Sequence, residues 1–236
     1  MIPKVIHYCW FGGNPLPKSA IKCIESWQKH MPDYEIKRWD ESNFNVHEIS
    51  YTREAYKNKL FAFVSDYARF RILEREGGIY LDTDVEMIKP LYDIVSMGSY
   101  MGIEQGNNVA PGLGLACVAH EEFIKEMVNH YKGLSFYRLD GSINYDTVVY
   151  HTTQQLFGKG WTGKESCIAG FNIYPSEYFC PKDYETGELR ITPSTYTIHH
   201  YSATWITPKQ MLYRKIKRIF GSRFASFCST LLKKIR

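Results

Sequence analysis

The sequence predicts an α/β domain built on a parallel sheet, and three observations predict it. The chain opens with a β–loop–α–β pattern over residues 3–39, the usual start of such a sheet. A long apolar helix over 58–76 then runs through Gly77-Gly78 directly into a strand. The 236 residues, 44% apolar and 23% charged, are enough to bury a large core. They also exclude a disordered, collagenous or coiled-coil chain.

The elements follow in order. Residues 3–11, rich in β-branched and aromatic side chains, read as a strand, and Gly12, Gly13, Asn14, Pro15 and Pro17 as a loop. Lys18–His30 reads as a helix with Ile21, Ile24 and Trp27 at three-residue spacing; Pro32 and Asp33 break it, and Tyr34–Trp39 is the second strand. In the helix over 58–76, Phe61, Val64, Ala68, Ile72 and Arg75 lie near one stripe, widened by Phe63, Tyr67 and Phe70. Gly77 supplies the C-cap. A strand over Ile79–Ile88 carries Asp82-Thr83-Asp84 and stops at Pro90. Two short strands flank the Gly-rich turn Asn107–Gly114. Helices are expected at Glu121–Tyr131 and over 151–157, with short strands and loops over 160–206. Residues 1–206 read as one domain.

Composition narrows the function. Aromatic residues reach 15%, which suits surfaces that stack on nucleobases and sugars. No run of 18 apolar residues is present, so no transmembrane helix is expected, and the N-terminus lacks a signal-peptide pattern. The six cysteines form no CxxC pair and fit no zinc template, which favours reduced, mostly buried thiols in a cytoplasmic protein. Neither GxGxxG nor a Walker A string occurs. Nine of the 29 basic residues lie in 207–236 with no acidic residue among them, so the first 206 residues carry −5 and the tail +9. Leu212, Ile216, Ile219, Phe220, Phe224, Phe227, Leu231 and Ile235 form an apolar stripe in that tail. A basic amphipathic helix of this kind suits an anionic membrane surface, with packing on the acidic body as the competing account. A nucleic-acid role is not expected.

Asp82 and Asp84 are the strongest chemical signal. On one strand they project together, near the strand end where α/β sheets bind ligands. Two aligned carboxylates need a cation, a shared proton or water between them. A hard divalent ion, Mn²⁺ or Mg²⁺, would neutralise them and leave positions for diphosphate oxygens. Asp66 and Arg69 share one face of the preceding apolar helix, as an internal ion pair or as site residues. His7, His47, His120, His130 and His151 carry no motif, and His7 reads as a hydrogen-bonded core residue.

Residues 65–87, SDYARFRILEREGGIYLDTDVEM, resemble the DXD region of glycosyltransferase family 32, which includes bacterial capsule and O-antigen enzymes, yeast α-1,6-mannosyltransferases and the clostridial glucosylating toxins. The opening IPKVIHYCWFGG is similar to the family's first strand, PLPKSAIKCIESWQKHMPDYEIKRWD to its next helix and strand, and HHYSATW at 199–205 to its closing metal and phosphate motif. The resemblance implies a GT-A-type fold over 1–206 and a retaining, metal-dependent transferase. Its donor would be a nucleotide-sugar, UDP favoured over GDP. It implies Asp84 on the metal, Asp82 on the ribose or the metal's water shell, and Asp66 and Arg69 on donor-sugar hydroxyls. It places Tyr80 on the ribose side, Trp10 at the base and Trp205 on the β-phosphate. His200, five residues before Trp205, is the favoured second metal ligand, with His199 its rival because neighbouring strand residues face opposite ways. Ala203 departs from the toxins' serine there, leaving Ser202 or Thr204 to supply a hydroxyl. The acceptor implied is a saccharide, lipid-linked in capsule and O-antigen synthesis, which agrees with a peripheral enzyme on the inner face of the membrane. The competing readings are a haloacid-dehalogenase-type phosphatase with Asp82 as nucleophile, which lacks a later Asp-Asp pair, and a non-enzymatic sugar-binding module.

Overall fold

A computed structural model describes residues 1–164 and 166–202. Trp205, the expected tail over 207–236 and Cys228 lie outside the described residues. The first strand, β1 (Val5–Cys9), is followed by α1 (Lys18–His30) and β2 (Glu35–Trp39), close to the expected bounds. Prolines fix α1: Pro17 stands at its N-cap, and Lys29 and His30 fill its last turn, where positive charge suits the exposed carbonyls. Its inward face is Ala20, Cys23 and Trp27, with Ile24 packed partly buried against the same cluster, whereas Ile21 is exposed. Trp27 sets that rotation, because its indole Nε1 donates to the Val85 carbonyl at 2.7 Å.

The polar stretch before the long helix forms a helix of its own, α2 (Ser50–Lys57), which the sequence reading did not anticipate. The long helix is α3 (Phe61–Glu76). It is buried on nearly every side and carries Asp66 and Arg69 into the core with its apolar residues. Gly77 ends it at φ 64°, with a would-be Cβ 2.6 Å from the Ala119 nitrogen, so the turn needs glycine twice over.

The expected strand over 79–88 is two strands. β3 (Gly78–Tyr80) and β4 (Val85–Met87) belong to different sheets, with Asp82-Thr83-Asp84 on the connection. Then come α4 (Tyr92–Ser96), β5 (Tyr100–Gly102), β6 (Leu115–Cys117), α5 (Glu122–Gly133), α6 (Val148–Gly158), β7 (Cys167–Ile168), β8 (Phe171–Tyr174), α7 (Ser176–Phe179) and β9 (Thr197–His199). Among the described residues the main sheet has the order β2-β1-β3-β6-β5-β8-β7, and β4 pairs with β9 in a second sheet. The main sheet is mixed rather than purely parallel: β6 runs antiparallel to β3 and β5, and β7 to β8.

Strand alternation divides the core in two. Ile6, Tyr8, Ile79, Tyr100 and Ala116 face one apolar cluster with Trp27 of α1. Cys9, Tyr80, Met101, Leu115 and Cys117 face the other, with α2, α3, α5 and α6. Between them His7 is wholly buried: its Nδ1 accepts from Trp39 Nε1 at 3.1 Å, so its Nε2 donates to the Gly77 carbonyl at 2.9 Å. Burial pushes this imidazole down to about 4. Cys9, Cys23, Cys117 and Cys180 are free and buried, and Cys167 is free and exposed. No helix among the described residues is long and apolar enough to cross a membrane.

Candidate active site

The site gathers where β3 gives way to β4. Asp82 N–H donates to the Gly112 carbonyl at 2.9 Å and Val85 N–H to the Asp82 carbonyl at 3.0 Å, closing a turn over the Asp-Thr-Asp triplet. The expectation that both carboxylates share one strand face is therefore corrected. The turn sends them to separate partners.

Asp82 joins the α3 side. Arg69 Nη2 lies 3.0 Å from Asp66 Oδ1 and 3.4 Å from Asp82 Oδ1. The guanidinium carbon stands 4.8 Å over the Tyr80 ring. Burial alone would lower Arg69, but Asp82, with Tyr80 and Asp66, raises it, and it stays cationic. Burial pushes the Asp66 carboxyl up to about 7, against the opposing pull of Arg69. Arg69 Nη1 is buried with no hydrogen-bond partner. An unspent buried donor of this kind calls for an acceptor from outside the protein. Gly112 closes the array from above, since a Cβ there would overlap Asp82 Oδ2 and approach Arg69 Nη1 to 3.1 Å.

Asp84 joins the β9 side. Its Oδ1 lies 3.3 Å from His199 Nε2, and its Oδ2 accepts the Ser202 N–H at 2.8 Å. Burial would push this carboxyl up; His199 and the Ser202 N–H outweigh it and hold Asp84 below the usual range. Burial would likewise lower His199, yet Asp84 raises it to about 10. The His200 N–H donates to the Asp84 carbonyl at 2.9 Å, but its side chain does not join the Asp84 carboxylate. The β4–β9 register pairs Val85 with His199, and His200 turns to Glu86, with Nε2 2.7 Å from Oε2. The geometric expectation for His200 is thus corrected in favour of its neighbour.

Asp84 Oδ1 and His199 Nε2, 3.3 Å apart, are close enough to share one cation, which would take the place of the proton His199 holds against Asp84. A carboxylate and an imidazole suit Mn²⁺, and Mg²⁺ or Mn²⁺ commonly takes one or two protein ligands and completes its shell with phosphate and water. The donor set fits such an ion, although no group of three or more His, Cys, Asp or Glu side chains suited to a metal is found among the described residues.

Trp10 is half-buried at the end of β1, its Nε1 donating to the Asn14 carbonyl at 2.7 Å. Tyr80 is 1% exposed; it lies beneath Arg69 and does not line the site, a third correction. Three participants escaped the sequence reading: Gly112, the Ser202 N–H and Tyr201, whose ring packs on His199 at 4.1 Å between centroids. Gly112 stood in a segment read only as a turn.

Residues 17–102 match the family model described as "Glycosyltransferase sugar-binding region containing DXD motif". This stretch is similar to a DXD-type glycosyltransferase region. The α/β class expected from the sequence stands, with a mixed main sheet. The DXD region spans α1 to β5 and holds Asp66, Arg69, Asp82 and Asp84, while Gly112 and His199 come from beyond it. The chain is 34% identical over 115 residues to the "Uncharacterized glycosyltransferase L373" of Acanthamoeba polyphaga mimivirus, covering 46% of each chain. It is 27% identical over 119 residues to "Subversion of eukaryotic traffic protein A" of Legionella pneumophila, covering 39% of this chain and 18% of that one. The matches thus span less than half the length of these curated relatives. A solved glycosyltransferase involved in glycosylation of the major capsid of PBCV-1 is similar at 8% identity and a TM-score of 0.49, covering 91% of this chain and 100% of that one.

Proposed function

We propose that this protein transfers a hexose or N-acetylhexosamine from a nucleotide-sugar to a hydroxyl of a saccharide acceptor. The observation that carries the reading is the pairing of two neighbouring charge arrays. Asp66, Arg69 and Asp82 hold an unspent buried donor beside carboxylates, the chemistry that binds sugar hydroxyls. Asp84 and His199 form a cation-holding pair one residue away along the chain. When bound, a divalent ion there offsets the charge that develops on the departing nucleoside diphosphate. Arg69 and Asp82 orient the sugar, and Trp10 borders the base. The DXD turn needs no nucleophile of its own if the acceptor hydroxyl enters on the leaving-group face and gives its proton to the departing phosphate. That route retains the anomeric configuration.

A phosphatase reading asks Asp82 to act as a free nucleophile, whereas its carboxylate is committed to Arg69. A bare binding module has no need of the Asp84–His199 pair. By the family resemblance the donor is a UDP-sugar, and the acceptor is lipid-linked in bacterial surface polysaccharide synthesis. The basic composition of 207–236 supports work at the inner face of the cell membrane. The test is nucleotide release from UDP-Gal, UDP-GalNAc, UDP-Glc, UDP-GlcNAc and GDP-Man, with and without Mn²⁺. Mn²⁺-stimulated release from one donor supports the reading, and silence across the panel refutes it.

A further inference from the structure

Asp84 is gripped from both carboxylate oxygens by residues on either side of Tyr201: His199 on Oδ1 and Ser202 N–H on Oδ2. A continuing strand would carry Ser202 onward, away from Asp84. The chain turns back because Tyr201 adopts φ 54°, in the left-handed region. Few bulky residues tolerate that conformation, and such strain persists only where surrounding contacts over-determine it. Here three contacts do so. The Tyr201 ring lies on His199 at 4.1 Å, its hydroxyl meets Cys180 Sγ at 2.9 Å, and Tyr184 packs edge-on against it at 5.0 Å.

His199 needs that ring. An imidazole that ligates a metal is ordinarily oriented by a hydrogen bond at its other nitrogen. His199 Nδ1 is buried without a well-formed hydrogen bond, although Cys180 beside it raises the imidazole, and the tilted Tyr201 ring is the close contact that orients it. We propose that Tyr201 is the positioning residue of the cation site. Its left-handed turn brings the Ser202 N–H to Asp84, and its ring fixes His199 beside the same carboxylate. The proposal rests on the reading of Asp84 and His199 as the cation-holding pair.

The experiment is Mn²⁺ binding to the full chain without nucleotide, followed by titration calorimetry, with the melting temperature recorded in chelator. Tyr201→Phe keeps ring and turn and is expected within about threefold of wild type. Tyr201→Gly keeps the turn, loses the ring and binds ~10-fold more weakly. Tyr201→Val disfavours the turn as well and binds up to ~100-fold more weakly, the range seen when outer contacts of a metal site are lost. Should Tyr201→Val not fold, the contrast between Phe and Gly decides. Gly and Val both binding like wild type, while Asp84→Ala loses Mn²⁺, overturns the positioning role alone. Asp84→Ala binding Mn²⁺ like wild type removes the cation site, and the proposal falls with it.

Discussion

Arg69 reaches from the middle of α3 to place Nη2 3.4 Å from Asp82 Oδ1, joining the first carboxylate of the Asp-Thr-Asp turn to the helix that precedes it. The same nitrogen serves Asp66 at 3.0 Å, so one guanidinium neutralises two carboxylates. Arg69→Met strips both carboxylates of their cation and pushes Asp66 further up. Removing one partner of a buried ion pair costs about 3–5 kcal/mol, read as a lower urea midpoint, and nucleotide release is expected to fall by at least ~100-fold. Arg69→Met at wild-type stability would show that the array is solvated.

Gly112→Ala places a methyl group where Asp82 Oδ2 lies. Asp82 must swing away or the loop must move, and overpacking of this kind costs about 1–3 kcal/mol. Donor turnover should drop far more than stability. Gly158→Ala, at the end of α6 with nothing within 4 Å, is the control and should leave turnover unchanged. Equal turnover in the two variants would contradict the clamp.

His199→Ala should cost more activity than His200→Ala. The five-residue spacing to Trp205 pointed to His200, but the structure sets His199 on Asp84 and His200 on Glu86. The reverse ranking in a side-by-side kinetic assay would restore the sequence-based assignment.

Acid should destabilise the fold between about pH 6.5 and 4. Burial lowers His7 and His151 to about 4 each in the folded protein, below the unfolded value of 6.5. Over that interval the unfolded chain binds more protons, so stability rises with pH and is lost on acidification. His151 pairs with His130, Nδ1 to Nε2 at 3.1 Å, with α5 and α6 on either side. His151→Gln should flatten the melting-temperature profile in that range; an unchanged slope would assign it elsewhere.

Deleting 208–236 should spare turnover on a small soluble acceptor and impair work on a lipid-linked one. The full chain should pellet with anionic vesicles at low salt and release as salt rises, since screening shortens electrostatic reach. A full chain that ignores such vesicles would end the membrane reading.

Much of the first third was legible because its signals are local. Pro17 and Pro32 bracket α1, Gly77 stops α3, and the apolar run between them admits only a buried helix. The DXD segment misled for the opposite reason. Ile79-Tyr80-Leu81 and Val85-Glu86-Met87 both favour strand, and nothing nearby in sequence marks the turn. Distant groups make it, the Gly112 carbonyl and the β9 ladder. The histidine assignment depends on a register 114 residues away in sequence, since Glu86 meets His200 across that separation. The helix α2 escaped because SYTREAYK is short and polar overall, its buried side only Tyr51, Thr52 and Ala55.

The pairing of β4 with β9 also imposes an order on biosynthesis. During translation, Asp66, Arg69, Asp82 and Gly112 are all available once the ribosome has passed Gly112. Asp84 must wait until residue 202 has emerged and docked. A chain that stops before Thr197 therefore lacks β9 and, with it, both partners of its second carboxylate.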